Sequence, residues 1–174
     1  MISSKGAIIV DGERAGIAFE RNLPYPIEAV WEAISDPEQM SLWLGDTTIE
    51  GGMISVVGGP KHLPADIRRA TGRILVCEPP RVMEYEWKQA IIEDSTVRFE
   101  LTPNDGGTSL RLTHRWLSIA NAGGFIPGWH AYLDRLAAHL GNGEVRDWSE
   151  LFGEFRDLYA EHRSAHQGLR PSGA

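Results

Sequence analysis

The chain of 174 residues predicts an α+β fold in which one antiparallel sheet is covered by a single long helix. Three observations carry that expectation. Between residues 47 and 117, six short segments alternate apolar and polar positions and are separated by tight turns, and strands joined this way pair antiparallel. Residues 125–140 then carry one broad apolar stripe at helical spacing. Ahead of both stands a strand followed by two short helices punctuated by proline.

Taken in order, residues 17–23 place Ile17, Phe19 and Leu23 on one face and Ala18, Glu20 and Asn22 on the other, the pattern of a half-buried strand. Pro24 and Pro26 end it, and Pro26 suits a first helical turn for Ile27, Val30, Trp31 and Ile34. Asp36-Pro37 reads as an N-cap with proline at the first helical position, opening a second short helix with Met40, Trp43 and Leu44. Strands follow over 47–50, 53–57, 71–78, 82–88, 95–102 and 108–117, with Gly51-Gly52, Gly58-Gly59 and Asn104-Asp105-Gly106-Gly107 as turns, giving seven strands in all. The stretch 60–70, PKHLPADIRRA, fits no regular element. The long helix carries Ile126, Trp129, Leu133, Leu136 and Leu140, with Phe125, Tyr132 and Ala137 widening the stripe, and Gly141-Asn142-Gly143 stops it. An extra amphipathic helix over 144–163 presents Trp148, Leu151, Phe152, Phe155 and Tyr159, a stripe too large to leave in water. The organisation expected is an N-terminal extension (1–16), one domain (17–143), the additional helix as part of that domain (144–163) and a disordered tail (164–174).

Composition narrows the function. Seventeen basic against 24 acidic residues give a net charge of −7, so nucleic acid is not the expected partner. The single cysteine, Cys77, excludes an internal disulfide and any CxxC motif, and it reads as a small buried apolar side chain. No apolar run suits a leader or a membrane span, so no membrane insertion is expected and the cytoplasm is the expected location. Six Trp, four Tyr and five Phe are the notable surplus, available for a solid core or for a pocket wall.

The segments FERNLPYPIEAVWEAISDPEQMSLWLG, TGRILVCEPPRVMEYEW, GGTSLRLTHRWL and GGFIPGWHAYLDRLAAHL, in that order, resemble the START-like (SRPBCC) superfamily. Within it they resemble the bacterial proteins homologous to the C-terminal domain of the eukaryotic heat-shock chaperone ATPase activator. The resemblance implies a helix-grip fold, a seven-stranded antiparallel sheet wrapped around the long C-terminal helix, usually about an apolar pocket. It does not imply one activity, since lipid carriers, hormone receptors, cyclases and co-chaperones share the fold.

Rings on inward faces then become wall candidates, with Tyr85, Trp87, Phe99, Trp116 and Trp129 foremost. Phe19, Leu112, Leu133 and Leu136 share those faces, as do two polar residues, Arg21 and His114. An unpaired buried guanidinium is expensive, so Arg21 needs a carboxylate partner or an acidic ligand. His114 reads as a ligand-orienting base or as a satisfied core histidine. His130 and Asp134, four apart on the long helix, read as an acid–base pair or as a bracing contact. Five basic residues against two acidic ones between Lys61 and Arg81 suit either an anionic ligand or a solvated rim. No spacing suits a metal, His162 and His166 standing alone near the end, and no cofactor motif is present. The sequence thus favours a binding module for a small apolar or amphipathic molecule held between sheet and long helix. A cyclase-like or hydratase-like enzyme using His114, His130 or Asp134 is the alternative, and a chaperone-associated stress-response protein is the third. A homodimer through the terminal helix is the further partner arrangement that the apolar stripe suggests.

Overall fold

The computed structural model describes residues 3–167, with side chains through residue 160. Eight strands are present: β1 (Ala7–Asp11), β2 (Arg14–Leu23), β3 (Asp46–Glu50), β4 (Met53–Val57), β5 (Arg69–Glu78), β6 (Val82–Gln89), β7 (Ser95–Asn104) and β8 (Gly107–Ser118). They form one antiparallel sheet in the order β1-β2-β8-β7-β6-β5-β4-β3. The seven expected strands are therefore eight. The added one, β1, pairs with β2 from Ala7 opposite Ala18 to Asp11 opposite Arg14, and β2 itself begins three residues earlier than its alternation indicates. All five β1 residues are exposed, so no apolar alternation announces this edge strand.

Helices α1 (Ile27–Ser35) and α2 (Pro37–Trp43) close one end. The Asp36 carboxylate accepts the Gln39 N–H at 3.1 Å with Pro37 in the first turn, as the dipeptide predicts. Trp43 is fully buried and donates its indole N–H to the Ala33 carbonyl at 2.8 Å, tying the two helices together. A one-turn helix, α3 (Ala65–Arg68), lies within the irregular stretch.

The long helix α4 runs from Ile119 to Leu140, six residues longer at its start than its stripe indicates. Gly123 and Gly124 obscure those turns, because glycine is a poor helix former. Burial of Ala122, Ile126 and Pro127 and the Ser118 hydroxyl cap on the Asn121 N–H (3.1 Å) hold them helical. Helix α5 (Trp148–Gln167) packs back on α4 of the same chain, with Leu151, Phe155 and Tyr159 buried. The tail expected from residue 164 is helical in backbone to Gln167, and its remainder lies outside the described residues. So do the side chains of His162 and His166.

Two bulges redirect strand faces. In β8 the register slips beside Ala15 and Ile17, so His114 and Leu117 both point inward and Trp116 between them is turned out. Trp116 takes a φ of 74° and is 57% exposed, which corrects its assignment to the inward face. In β5 the register slips between Ile74 and Val76, and Cys77 beyond it is exposed rather than buried. No helix among the described residues is long and apolar enough to cross a membrane.

Candidate functional site

Along α4 the residues Asn121, Gly124, Phe125, Gly128, Trp129 and Tyr132 fall at i, i+3, i+4 spacing, so they form one face. That face lines a cavity of about 570 Å³. Trp148, Phe152, Gly153 and Arg156 of α5 close it from the opposite side. Trp87, Gln89 and Ile92 supply the sheet edge, and the 58–68 loop with Gly58, Gly59, His62, Leu63 and Arg68 covers the rim. Two glycines at the wall, Gly124 and Gly153, have open space where a Cβ would stand.

The walls are chiefly rings. Trp148 stacks on Phe152 at 4.8 Å between centroids and lies 5.6 Å from Tyr132, while Trp87 and Trp129 meet at 5.6 Å. Behind them a buried relay fixes their orientation. The Trp129 indole N–H donates to His114 Nδ1 at 2.9 Å, so His114 carries its proton on Nε2 and donates to Ser95 Oγ at 2.8 Å, which in turn donates to the Trp87 carbonyl at 3.0 Å. The relay needs a neutral imidazole, and burial pushes the His114 pKa down to about 3. At the helix start, Asn121 donates to Glu93 at 2.8 Å. Burial opposes ionisation of Glu93, but hydrogen bonds from Ser118 and Asn121 prevail and lower its pKa to about 2.

The loop meets the helix at one peptide group. Tyr132 Oη accepts the Gly59 N–H at 2.7 Å, and Arg68 Nη1 donates to the Gly58 carbonyl at 3.1 Å. Only glycine allows this approach at 58, since a Cβ there would stand 2.3 Å from the Tyr132 hydroxyl and 2.6 Å from the Leu44 carbonyl. Burial pushes the Tyr132 pKa up to about 12, partly offset by the Gly59 bond and by the charges of Arg135 and Arg68.

The opposite flank of the same helix pair is closed. Ser3 Oγ donates to Asp134 at 2.6 Å and lies 2.7 Å from His130 Nε2, and His130 Nδ1 is 2.9 Å from the Tyr159 hydroxyl. Tyr159 also accepts the Gly6 N–H at 2.8 Å, and Phe155 stacks on the His130 ring at 3.8 Å. The set is satisfied when His130 is neutral, donates from Nε2 to Ser3 and accepts at Nδ1 from Tyr159. Burial, with the charges of Arg21 and Lys5, lowers its pKa to about 4. Arg21 faces this flank. Its Nη1 donates to the Glu20 carbonyl at 2.9 Å and its guanidinium sits 5.3 Å from the Phe19 ring centre, while buried Nε and Nη2 have no hydrogen-bond partner among the described residues.

Of the wall residues that the sequence singles out, Trp87 and Trp129 line the cavity. Phe19, Tyr85, Phe99, Leu112, Leu133 and Leu136 lie in the solid core, and His114 stands behind the wall rather than in it. His130 and Asp134 belong to the closed flank, Arg21 lines a second cavity beside it together with Ser3, and Trp116 faces outward. Residues assigned to other roles line the cavity instead. Tyr132 and Phe125 appear in the sequence only as a widening of the stripe, and Trp148 and Phe152 only as a terminal-helix face. Among the described residues no group of His, Cys, Asp or Glu converges as a metal site.

A family model described as Activator of Hsp90 ATPase homolog 1-like protein matches residues 24–141. None of the curated proteins matches the sequence. Among solved structures, CalU16 from Micromonospora echinospora is 26% identical with a TM-score of 0.67, covering 90% of this chain and 93% of its own. A Bordetella parapertussis protein solved by NMR is 27% identical with a TM-score of 0.67 and 91% coverage of both chains. DynU16, described as a protein of the dynemicin biosynthetic locus, is 21% identical with a TM-score of 0.64, covering 75% of this chain and 48% of its own, a likeness of fold alone.

Proposed function

The chain belongs to the Activator of Hsp90 ATPase homolog 1-like family, and from that premise we propose that it binds a small apolar or amphipathic molecule in the cavity between α4, α5 and the 58–68 loop. The observation that supports the reading is the cavity itself. About 570 Å³ is the size of a small-molecule site, and its walls are aromatic rings held in place by hydrogen bonds behind them. The START-like superfamily has members that bind hydrophobic ligands. An acid–base role for His114 or for His130 with Asp134 has less support, because both nitrogens of each ring are engaged in hydrogen bonds and none of the three residues lines the cavity.

Tryptophan emission tests the reading, since Trp87, Trp129 and Trp148 all line the cavity. Saturable quenching by a planar aromatic probe such as 4-(1-pyrenyl)butanol, lost in Gly124→Leu and Gly153→Leu, is the expected result. Quenching that persists unchanged in both variants overturns it.

A further inference from the structure

The cavity is one-sided in charge. Its ionisable lining residues are His62, Arg68, Arg156 and Tyr132, and neither Asp nor Glu is among them. Arg68 and Tyr132 flank one peptide group, Arg68 binding the Gly58 carbonyl on one side and Tyr132 the Gly59 N–H on the other, and the Arg68 charge is felt at the Tyr132 hydroxyl. Arg68 is held there by a second bond, from Nε to the Leu63 carbonyl at 3.0 Å, so the loop fixes its guanidinium fork before any ligand arrives. Both groups keep donor capacity. The Tyr132 hydroxyl accepts from Gly59 but its own proton has no acceptor among the described residues, and Arg68 Nη2 likewise has no partner there. The rings of Trp148, Phe152, Phe125 and Trp129 supply an apolar body site, with Trp148 and Trp129 in contact with the Tyr132 ring.

Resting on the cavity reading above, we propose that the ligand is a planar aromatic molecule with an acidic head, its carboxylate received by Arg68 and Tyr132 and its ring system stacked among the tryptophans. A preset hydroxyl donor and a preset guanidinium favour an anion, since charge-assisted hydrogen bonds are roughly twice as strong as neutral ones. A cationic head meets only like charge among the lining residues. A neutral apolar molecule fills the body site but leaves both donors without a partner.

Two probes of one skeleton make the test: 4-(1-pyrenyl)butanoate and 4-(1-pyrenyl)butanol, titrated by tryptophan quenching at pH 7.5. The acid is expected to bind about tenfold more tightly than the alcohol or better, with a preference that shrinks as salt is added. Arg68→Gln is expected to abolish the preference, the acid and the alcohol then binding the variant equally, Arg68→Lys to retain part of it, and Tyr132→Phe to reduce it by a few-fold. Thermal melts of each variant separate lost binding from lost folding. Equal binding of the two probes by the unmodified protein, or a preference that survives Arg68→Gln, overturns the acidic-head inference and leaves the cavity reading standing. Failure of both probes to bind overturns the cavity reading and this inference with it.

Discussion

The two flanks of the α4–α5 pair are built from similar residues and end differently. On one flank His130, Asp134, Phe155 and Tyr159 meet the N-terminal segment, and Ser3 and Gly6 complete a closed hydrogen-bond network. On the other, Tyr132, Trp148 and Phe152 meet a loop that stops short of filling the space between the helices. The difference lies in what arrives from elsewhere in the chain. A serine hydroxyl and a backbone N–H fill the first flank, and the Ser3 and Tyr159 hydroxyls engage both ring nitrogens of His130. Two glycines, 124 and 153, hold the second open, and the loop brings a guanidinium and a peptide to its rim. His130 and Asp134 on the closed flank are engaged in holding the fold, while Arg68 and Tyr132 on the open flank retain free donors.

The largest effect should come from filling the open flank. Gly124→Leu and Gly153→Leu place side chains where no atom lies within 4 Å of a Cβ, so probe binding should fall beyond detection while stability holds or rises by about 0.5–1 kcal/mol, the helix penalty of glycine removed. Calorimetric melts beside the titration check both halves, and a Tm drop with binding intact breaks the comparison. Next, opening the closed flank by His130→Ala should cost about 2–4 kcal/mol, because it takes one hydrogen-bond partner each from Ser3 and Tyr159 and removes a stacked ring. Probe affinity at a temperature where the variant is folded should stay within about two-fold. Denaturant unfolding and quenching on the same sample decide it.

The pH dependence sharpens the contrast. Both buried histidines have folded pKa values, about 3 for His114 and about 4 for His130, below the ordinary 6.5. As pH falls below 6.5 the unfolded chain takes up protons that the native state refuses, so stability falls with pH, by about 1.4 kcal/mol per unit for each histidine. Glu86 and Glu93, lowered from 4.5 to about 2, add their own loss only below pH 4.5. The interval from 6.5 to 4.5 is therefore the histidine window, and unfolding curves across it should show a slope that His130→Gln roughly halves. A flat profile there contradicts the neutral networks on both flanks. The smallest effect is expected at Trp116, exposed and in a left-handed conformation. Trp116→Asn should leave probe affinity unchanged and stability the same or up to about 1 kcal/mol higher. Any loss of binding returns this ring to the cavity wall.

Much of the fold is legible residue by residue. The alternations that end in Met83, Tyr85 and Trp87, or in Val97, Phe99 and Leu101, are local and survive intact as buried faces. The Asp36-Pro37 cap and the Asn104–Gly107 turn are equally local, and both stand where the sequence puts them. Strand β1 escapes notice because it is exposed on both faces, and α4 appears short because Gly123 and Gly124 argue against helix. The site is less legible. Trp87 and Trp129 are readable as inward rings, but Trp116 shares their alternation and a single inserted residue in the ladder turns it outward. The phase of a strand is a local property only until a bulge resets it.

The sequence by itself determines the layer order, the antiparallel pairing, the long covering helix and the aromatic supply, because periodicity and turn chemistry act between near neighbours. Tertiary structure alone decides which face of α4 is sealed and which is left hollow. That choice depends on where Ser3, the 58–68 loop and Trp148 come to rest against the helix, contacts between residues far apart in the chain, and no local pattern encodes the space they leave.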